Sequence, residues 1–352
     1  MHIKELRSLD QTELEIESID SFGVESGQGN LIGIQPFMRA DDYATAVSCH
    51  KKLDGYLAAA CAEGWLSSNT VVIFPENIGT WLLLNHEHRS IFATDKIDTA
   101  VKRMIRHHWL RFGHYWFTAQ CRARHIDALF RMKAEQMASD YQTIFADLAH
   151  KYGVTIVAGL LFLPTPTIAN GRLQISDGPL QNVTCVFAPN GSLHPQITRK
   201  NNLVHDETDF LMAGELTDFP VYETPAGRLG VLICADSWYP ASYAVLAGQD
   251  VEIIAVPNNQ GEWLKPWSGY STTFVPQDVD LKDVGRLTER EAWLKYALPG
   301  RITSSGANVG MHVFFHGQLW DQVSEGQSIL VKEDSIFEAS DVVKAALTNL
   351  WI

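Results

Sequence analysis

A predicted strand, a long predicted helix and a second predicted strand follow one another near the start of the chain, and this order constrains the fold most. Residues 31–35 and 71–74 are short apolar runs typical of buried strands. Residues 41–63 between them carry apolar side chains at helical spacing and predict one amphipathic helix. Two strands joined by a helix of this length form a crossover unit with parallel strands. The sequence therefore predicts an α/β fold.

A cysteine stands at the end of another short apolar run. Residues 230–233 predict a buried strand that Cys234 ends, and Asp236 and Pro240 mark a sharp turn before a helix-like run at 241–246. At such a turn, backbone N–H groups and the helix dipole favour a thiolate and bind an oxyanion formed beside it. The alternative is a core cysteine that only packs, because a free thiol behaves as a small hydrophobic group. Cys234 is therefore a candidate nucleophile.

Two further reactive side chains also end predicted strands. Glu76 follows the strand at 71–74, and Lys200 ends the extended segment that returns from a predicted hairpin turn at 188–192. Acyl transfer from an amide or nitrile needs a nucleophile, a proton carrier and a cation near the developing oxyanion. Cysteine, glutamate and lysine supply these three groups.

In this chain order, the three strand-end residues resemble the Glu-Lys-Cys triad of the nitrilase (carbon–nitrogen hydrolase) superfamily. The likeness runs from about residue 31 to residue 331. It implies a four-layer αββα sandwich, in which two mixed sheets are flanked by helices. It also implies that Glu76 is the general base, Lys200 the oxyanion-stabilising cation and Cys234 the nucleophile. By the same resemblance we expect no metal or organic cofactor, and a homodimer or higher homo-oligomer.

The resemblance also suggests residues around the triad. The Ala235 N–H is expected to hold the oxyanion with Lys200, and Glu207 is the candidate for the second glutamate that many family members carry beyond the lysine. The alternative for Glu207 is a solvated loop acid, and the neighbouring Asp206 and Asp209 leave the register open. The expected pocket residues are Trp81, Pro257, Asn258 and Trp263.

The chain divides into a polar N-terminal extension, residues 1–28, and a single hydrolase domain, residues 29–352, with a helical insertion at about 81–120. The insertion follows Glu76 directly, so its aromatic side chains either line the pocket or pack on the core or on a partner subunit. Towards the C-terminus, residues 306–315 and 327–331 predict a strand pair. Residues 288–296 predict a helix with Thr288 and Glu291 in a capping box, and residues 340–350 predict a last helix.

The implied activity is a thiol hydrolase that cleaves the non-peptide C–N bond of a small amide or N-carbamoyl compound through a cysteine-linked thioester. It would release ammonia or an amine and a carboxylic acid. Ala235 and Asp236 stand where nitrile-hydrolysing members carry tryptophan and glutamate, which favours an amidase over a nitrilase. The alternatives are a nitrilase, an acyltransferase that passes the acyl group to an amine, and a non-catalytic binding protein of the same fold.

Charge and composition exclude several other classes of protein. A net charge of −13 argues against nucleic-acid binding, which needs a basic surface. No apolar run is long enough to span a bilayer and the first residues lack a signal-peptide pattern, so we expect a cytoplasmic protein without membrane contact. The histidines at 86, 88, 107 and 108 invite a metal site, but no third ligand has recognisable spacing, so we expect no metal.

Overall fold

Alternating residues of the central strands point into different apolar layers. The computed structural model of the protein describes residues 14–216, 219–270 and 274–352. Val71 and Ile73 belong to one buried cluster and Val72 to another, and Ile253 and Ile254 divide in the same way. Successive side chains of a strand point to opposite faces of its sheet, so each sheet is covered on both sides.

The first sheet has seven strands. From one edge to the other they are β1 (Ile16–Phe22), β18 (Ala345–Trp351), β2 (Asn30–Gln35), β4 (Thr70–Ile73), β5 (Thr155–Pro164), β8 (Leu180–Phe187) and β9 (Leu193–Arg199). Strands β2, β4 and β5 are parallel, whereas β5, β8 and β9 are antiparallel. The predicted crossover unit is confirmed, because β2 and β4 are parallel neighbours joined through a helix.

The second sheet has six strands. They are β10 (Val221–Thr224), β11 (Gly227–Val231), β12 (Ile253–Asn258), β13 (Val309–Phe314), β16 (Ile329–Lys332) and β17 (Ser335–Glu338). Strands β11, β12 and β13 are parallel, and β13 and β16 form the antiparallel pair predicted from residues 306–315 and 327–331. The short strands are β3 (Phe37–Arg39), β6 (Thr167–Ala169), β7 (Arg172–Gln174), β14 (His316–Leu319) and β15 (Gln322–Ser324).

Helices connect and cover the sheets. They are α1 (Ala46–Ala62), α2 (Arg89–Phe92), α3 (Ile97–His107), α4 (Trp109–Thr118), α5 (Arg124–Tyr152), α6 (Pro240–Ala247), α7 (Glu289–Tyr296) and α8 (Leu298–Arg301). The capping box of α7 is confirmed, since Thr288 and Glu291 each accept a backbone N–H of the other. Within the described residues, none of these helices combines the length and hydrophobicity needed to cross a membrane.

The layers confirm the predicted αββα sandwich. The inner faces of the two sheets share one apolar cluster, in which Val71 of β4 and Ile253 of β12 both lie. Helices α1 and α5 cover the outer face of the first sheet, where Leu57 and Leu148 are buried. Helices α6 and α8 cover the outer face of the second sheet. Strand ends of both sheets therefore meet at one edge of the sandwich.

The helix predicted for residues 340–350 is wrong, because this segment contributes β18. The strand lies between β1 and β2, with both of its faces covered by apolar layers. A strand buried on both faces loses the alternation that marks a strand in sequence, and its alanines have a high helix propensity that tertiary contacts override here. Part of the segment predicted as an extension also belongs to the sandwich, since β1 is the edge strand beside β18. Residues 1–13 lie outside the described part.

Candidate active site

Glu76 lies at the end of β4, where the two sheets meet. The Phe74 N–H donates to the Val157 carbonyl of β5 (2.9 Å), and the Glu76 N–H donates to the Asn258 carbonyl of β12 (3.2 Å). Gly159, at a bulge of β5, has φ +64°, and a Cβ there would lie 2.3 Å from the Pro75 carbonyl oxygen. Only glycine allows this close approach. The segment that carries Glu76 is therefore held from both sheets.

Lys200 follows β9 and points its ammonium at two carboxylates. Its Nζ donates to Glu76 Oε1 at 2.9 Å and to Glu207 Oε1 at 2.8 Å. The Asn182 side-chain amide of β8 donates to the same two oxygens, at 3.0 and 3.2 Å. The Lys200 side chain is only 2% exposed. The structure thus brings Glu76, Lys200 and Glu207 into one buried hydrogen-bonded cluster.

The structure also settles which acid of the loop after Lys200 reaches the cluster. Glu207 ends a short 3-10 turn, His205–Glu207, and its second carboxylate oxygen accepts the Val204 N–H at 3.0 Å. Asp206 and Asp209 are exposed instead. Glu207, the residue suggested from the sequence, is therefore the loop acid that contacts Lys200.

Cys234 occupies a strained turn after β11. It begins a 3-10 turn, Cys234–Trp238, and its φ of +46° lies in the left-handed region that residues other than glycine rarely adopt. The buried Asp236 carboxylate holds this turn, because it accepts the backbone N–H groups of Ile233 (3.4 Å), Asn201 (3.1 Å) and Asn202 (2.7 Å). One carboxylate therefore ties the Cys234 turn to the loop that follows Lys200.

We expect Asp236→Asn to destabilise the protein and to lower its turnover. The amide keeps one acceptor oxygen and turns an NH₂ group towards backbone N–H donors, so at least one buried donor loses its partner. The expected loss is about 1–3 kcal/mol in the free energy of unfolding. Chemical denaturation and kcat/KM measure the two effects. A variant with unchanged stability would contradict the role given to Asp236.

Burial and mutual attraction set the protonation of the cluster. Burial raises the pKa of the Glu76 carboxyl, while Lys200 and the Cys234 thiol oppose the rise and Glu207 adds to it. Burial alone would lower the pKa of Lys200, but Glu207 and Glu76 outweigh it and raise that pKa well above its usual value. Lys200 is therefore a permanent cation at neutral pH.

The turn at Cys234 favours a thiolate, but burial opposes its formation. Burial raises the pKa of the Cys234 thiol well above the usual range, and the Glu76 carboxylate adds to the rise. Lys200 lowers this pKa but does not outweigh the other two effects. Cys234 is thus a neutral thiol at rest, with its Sγ 3.9 Å from the Asn259 carbonyl oxygen, and an attack by this thiol would need a base.

Cys234 and its partners open onto a cavity of about 450 Å³. Glu76, Lys200, Glu207, Cys234 and Ala235 all line it. The rest of the lining is rich in aromatic rings, which belong to Phe162, Trp238, Tyr239, Trp267, Tyr270 and Trp293. A cavity of this volume with a few convergent polar groups suits a small organic ligand.

The four pocket residues suggested from the sequence are not among the described residues that line this cavity. Trp81 packs edge-on against Trp320, with ring centroids 6.1 Å apart, and Trp263 packs against Phe314. Pro257 and Asn258 are buried in β12, where the Asn258 carbonyl holds the Glu76 backbone. Pro257 and Asn258 thus support the site without lining the cavity, whereas the next residue, Asn259, does line it.

The insertion at 81–120 packs on the sandwich beside α5. Phe112, Tyr115 and Trp116 contact the main apolar core, whereas Trp109 and Phe117 are exposed. None of the described residues that line the catalytic cavity comes from this segment. The packing interpretation is therefore the one that the structure favours over a lid.

The side chains of His88, His107 and His108 have protein partners. His108 Nε2 lies 3.0 Å from Glu87 Oε1, which also pairs with Lys133, and the rings of His88 and His107 stack at 4.5 Å. Among the residues described, no group of three or more His, Cys, Asp or Glu side chains is arranged to hold a metal ion.

Sequence reasoning did not identify three features of the site: the residue Asn182, the role of Asp236 in holding the Cys234 turn, and the aromatic residues that line the cavity. Asn182 had a usable signal, because a side-chain amide inside an otherwise apolar predicted strand must find buried partners. The lining residues had none, since they come from separate strands, turns, loops and a helix that only long-range packing brings together.

Comparisons with known proteins agree with this geometry. The sequence profile of the family described as carbon-nitrogen hydrolase matches residues 68–273. A mutant of the amidase from Nesterenkonia sp. AN1, solved with acrylamide added to its active-site cysteine by Michael addition, shares the fold with a TM-score of 0.56. Its identity is 13% and 91% of each chain is covered. The carbon-nitrogen hydrolase from Helicobacter pylori G27 gives a TM-score of 0.57 at 17% identity, over 92% of this chain and 88% of that one.

Sequence relatives cover a smaller part of the chain. "Probable nitrilase C965.09" of Schizosaccharomyces pombe is 30% identical over 123 residues, which are 35% of this chain and 40% of that protein. "Probable hydrolase YhcX" of Bacillus subtilis is 25% identical over 122 residues, which are 35% of this chain and 21% of that protein. The matched regions thus span less than half the length of either curated relative.

Proposed function

The chain belongs to the carbon–nitrogen hydrolase family and is a C–N hydrolase, and from this premise we propose that it hydrolyses a small amide through a thioester on Cys234. The observation that carries the proposal is the buried cluster of Glu76, Lys200 and Glu207 beside the Cys234 thiol, at the base of a cavity of about 450 Å³. Nucleophile, base and cation lie together where a small substrate has room to bind.

In the first half-reaction, Cys234 attacks the amide carbon while Glu76 takes the thiol proton. Because the thiol is neutral at rest, proton transfer accompanies the attack instead of preceding it. Within the described residues, Lys200 uses two of its three ammonium N–H groups on Glu76 and Glu207. The third is available to the developing oxyanion, together with the Ala235 N–H. Glu76 then gives the proton to the leaving nitrogen, and ammonia or an amine departs as the thioester forms.

In the second half-reaction, water replaces the amine beside the thioester. Glu76, again ionised, removes a proton from this water, and the resulting hydroxide attacks the thioester carbon. The oxyanion forms in the same place, and its collapse breaks the C–S bond. The proton on Glu76 returns to the Cys234 sulfur as the carboxylic acid leaves. Glu76 thus accepts and returns one proton in each half-reaction, and Cys234 ends the cycle as the thiol it began as.

The test is ammonia release and intact mass spectrometry across a panel of short amides, N-carbamoyl compounds and nitriles. We expect turnover of amides and an acyl adduct that peptide mapping places on Cys234. Adding hydroxylamine separates hydrolysis from acyl transfer, because a transferase would make hydroxamate in preference to acid. Turnover confined to nitriles would overturn the amidase assignment, and a failure of the whole panel to form any adduct would count against the proposed chemistry.

The pH profile of kcat/KM tests the role of Glu76. Only the ionised carboxylate accepts the thiol proton, so activity falls as the pH drops through the pKa of Glu76. Burial raises that pKa, and we therefore expect the acid limb at a pH above the model-compound value of about 4.3. Glu207 contributes to the rise, so Glu207→Gln should move the limb to lower pH. The control is Asp209→Asn, an exposed acid of the same loop, which should leave the limb in place. A limb that stays fixed in Glu207→Gln would contradict the assignment.

A further inference from the structure

A glutamate that the proposed reaction does not use also lines the catalytic cavity. Glu289 begins α7, and Trp293, one turn further on the same helix face, lines the cavity with it. Trp267 and Tyr270 line the same cavity, with ring centroids 5.8 Å apart. The rings of Trp293 and Trp238 pack in a T-shaped arrangement with centroids 4.7 Å apart. A carboxylate therefore shares this space with several π faces.

The charges in this cavity are predominantly acidic. Lys200 is the one basic residue among the described residues that line it, against four acids, Glu76, Asp206, Glu207 and Glu289. Lys200 is already committed to Glu76 and Glu207. Within the described part of the chain, Glu289 forms no ion pair, so its charge is not compensated by the protein.

Glu289 also has hydrogen-bonding capacity to spare. One carboxylate oxygen accepts the Gln260 side-chain amide at 3.2 Å, and the other accepts the Ser268 N–H at 3.4 Å. Each carboxylate oxygen has two acceptor positions, so one on each remains for a ligand. The donors from Gln260 and Ser268 orient the Glu289 carboxylate but do not neutralise its charge.

We propose that Glu289 and the aromatic rings around it bind the cationic end of the substrate, so that the enzyme acts on small amides carrying an ammonium or guanidinium group. A cation gains from both a carboxylate and the face of a tryptophan or tyrosine ring. The inference rests on the proposed function, since it names the class of amide that reaches Cys234. Burial raises the pKa of Glu289 to about 7, as expected for an acid that lacks a cation partner.

A simpler role for Glu289 would be to complement the N-terminal dipole of α7. Glu291, in the same first turn, already does so from an exposed position, where it closes the capping box with Thr288. Glu289 instead lies partly buried against the cavity. A dipole role alone predicts the same effect of Glu289 on charged and neutral substrates.

The test compares δ-aminovaleramide, which carries an ammonium, with its uncharged isostere hexanamide. We expect wild type to favour the cationic amide in kcat/KM, and Glu289→Gln to lower the ratio of the two values by about tenfold or more. The matched control is Glu63→Gln, which removes the same charge from an exposed position at the end of α1. It should change the ratio by less than about twofold, because solvent screens exposed charges.

Calorimetric binding of both amides to Cys234→Ala measures the preference without chemistry. Tighter binding of the cationic amide that Glu289→Gln abolishes would support the inference. Turnover of both amides without a preference would overturn the inference and leave the proposed function standing. A binding preference without turnover by wild type would count against the proposed function instead. Equal binding of both amides, or binding of neither, overturns the cation site.

Discussion

Cys234→Ala should abolish the acyl adduct and lower turnover by about 10⁴-fold or more, as expected when the nucleophile of a covalent mechanism is removed. Alanine fits the turn, because it keeps the Cβ and removes only the sulfur, so the fold should survive. The residual rate would come from binding and oxyanion stabilisation alone. Ammonia release and intact mass measure the two quantities, and circular dichroism checks that the variant folds.

Cys61→Ala is the matched control for this experiment. Cys61 is the exposed thiol at the end of α1, so it is the cysteine most open to adventitious acylation. Its variant should retain full turnover and the same adduct mass. If the adduct disappears in Cys61→Ala and persists in Cys234→Ala, the assignment of the nucleophile is wrong. Normal turnover by Cys234→Ala would refute the thioester mechanism as a whole.

Lys200→Met should cost both activity and stability. The substitution removes the cation proposed for the oxyanion, and losing one such stabilising group lowers kcat by about 10²–10³-fold. It also leaves Glu76 and Glu207 buried side by side without their shared partner. Removing one member of a buried ion pair costs about 3–5 kcal/mol of unfolding free energy. The pKa of Glu76 should rise further, because Lys200 holds it down.

Lys151→Met is the control, because it shows how much activity and stability are lost when a lysine outside the buried cluster is replaced. Lys151 pairs with Asp54 near the end of α5 and is half exposed, and exposed ion pairs contribute between zero and about 1 kcal/mol. Denaturation curves and kcat/KM of the two variants give the comparison. A Lys200→Met protein as stable as Lys151→Met would show that the buried cluster is hydrated or rearranged. Unchanged kcat would contradict the oxyanion role.

The order of elements could be read from local pattern. Short apolar runs, helical spacing of apolar residues and a capping motif predicted β2, α1 and β4, the strand pair β13 and β16, and the capping box of α7. Each of these rests on residues close in sequence, where spacing and propensity act directly. The last strand, β18, escaped prediction, because the strands that pair with it on either side, β1 and β2, come from the other end of the chain.

The sequence by itself determined which residues end the strands, and therefore that a glutamate, a lysine and a cysteine reach one edge of a sandwich. Only the tertiary structure decided how they contact one another and what surrounds them. The side-chain amide of Asn182 in β8 donates to both Glu76 and Glu207. Asp236 joins the Cys234 turn to the loop after Lys200. Glu289, which also lines the cavity, belongs to a helix more than fifty residues beyond Cys234 in the chain. Local sequence pattern determines an element and its buried face. Long-range packing determines which side chains then come into contact. Residues that only partner or surround the triad therefore carry no local signal in the sequence.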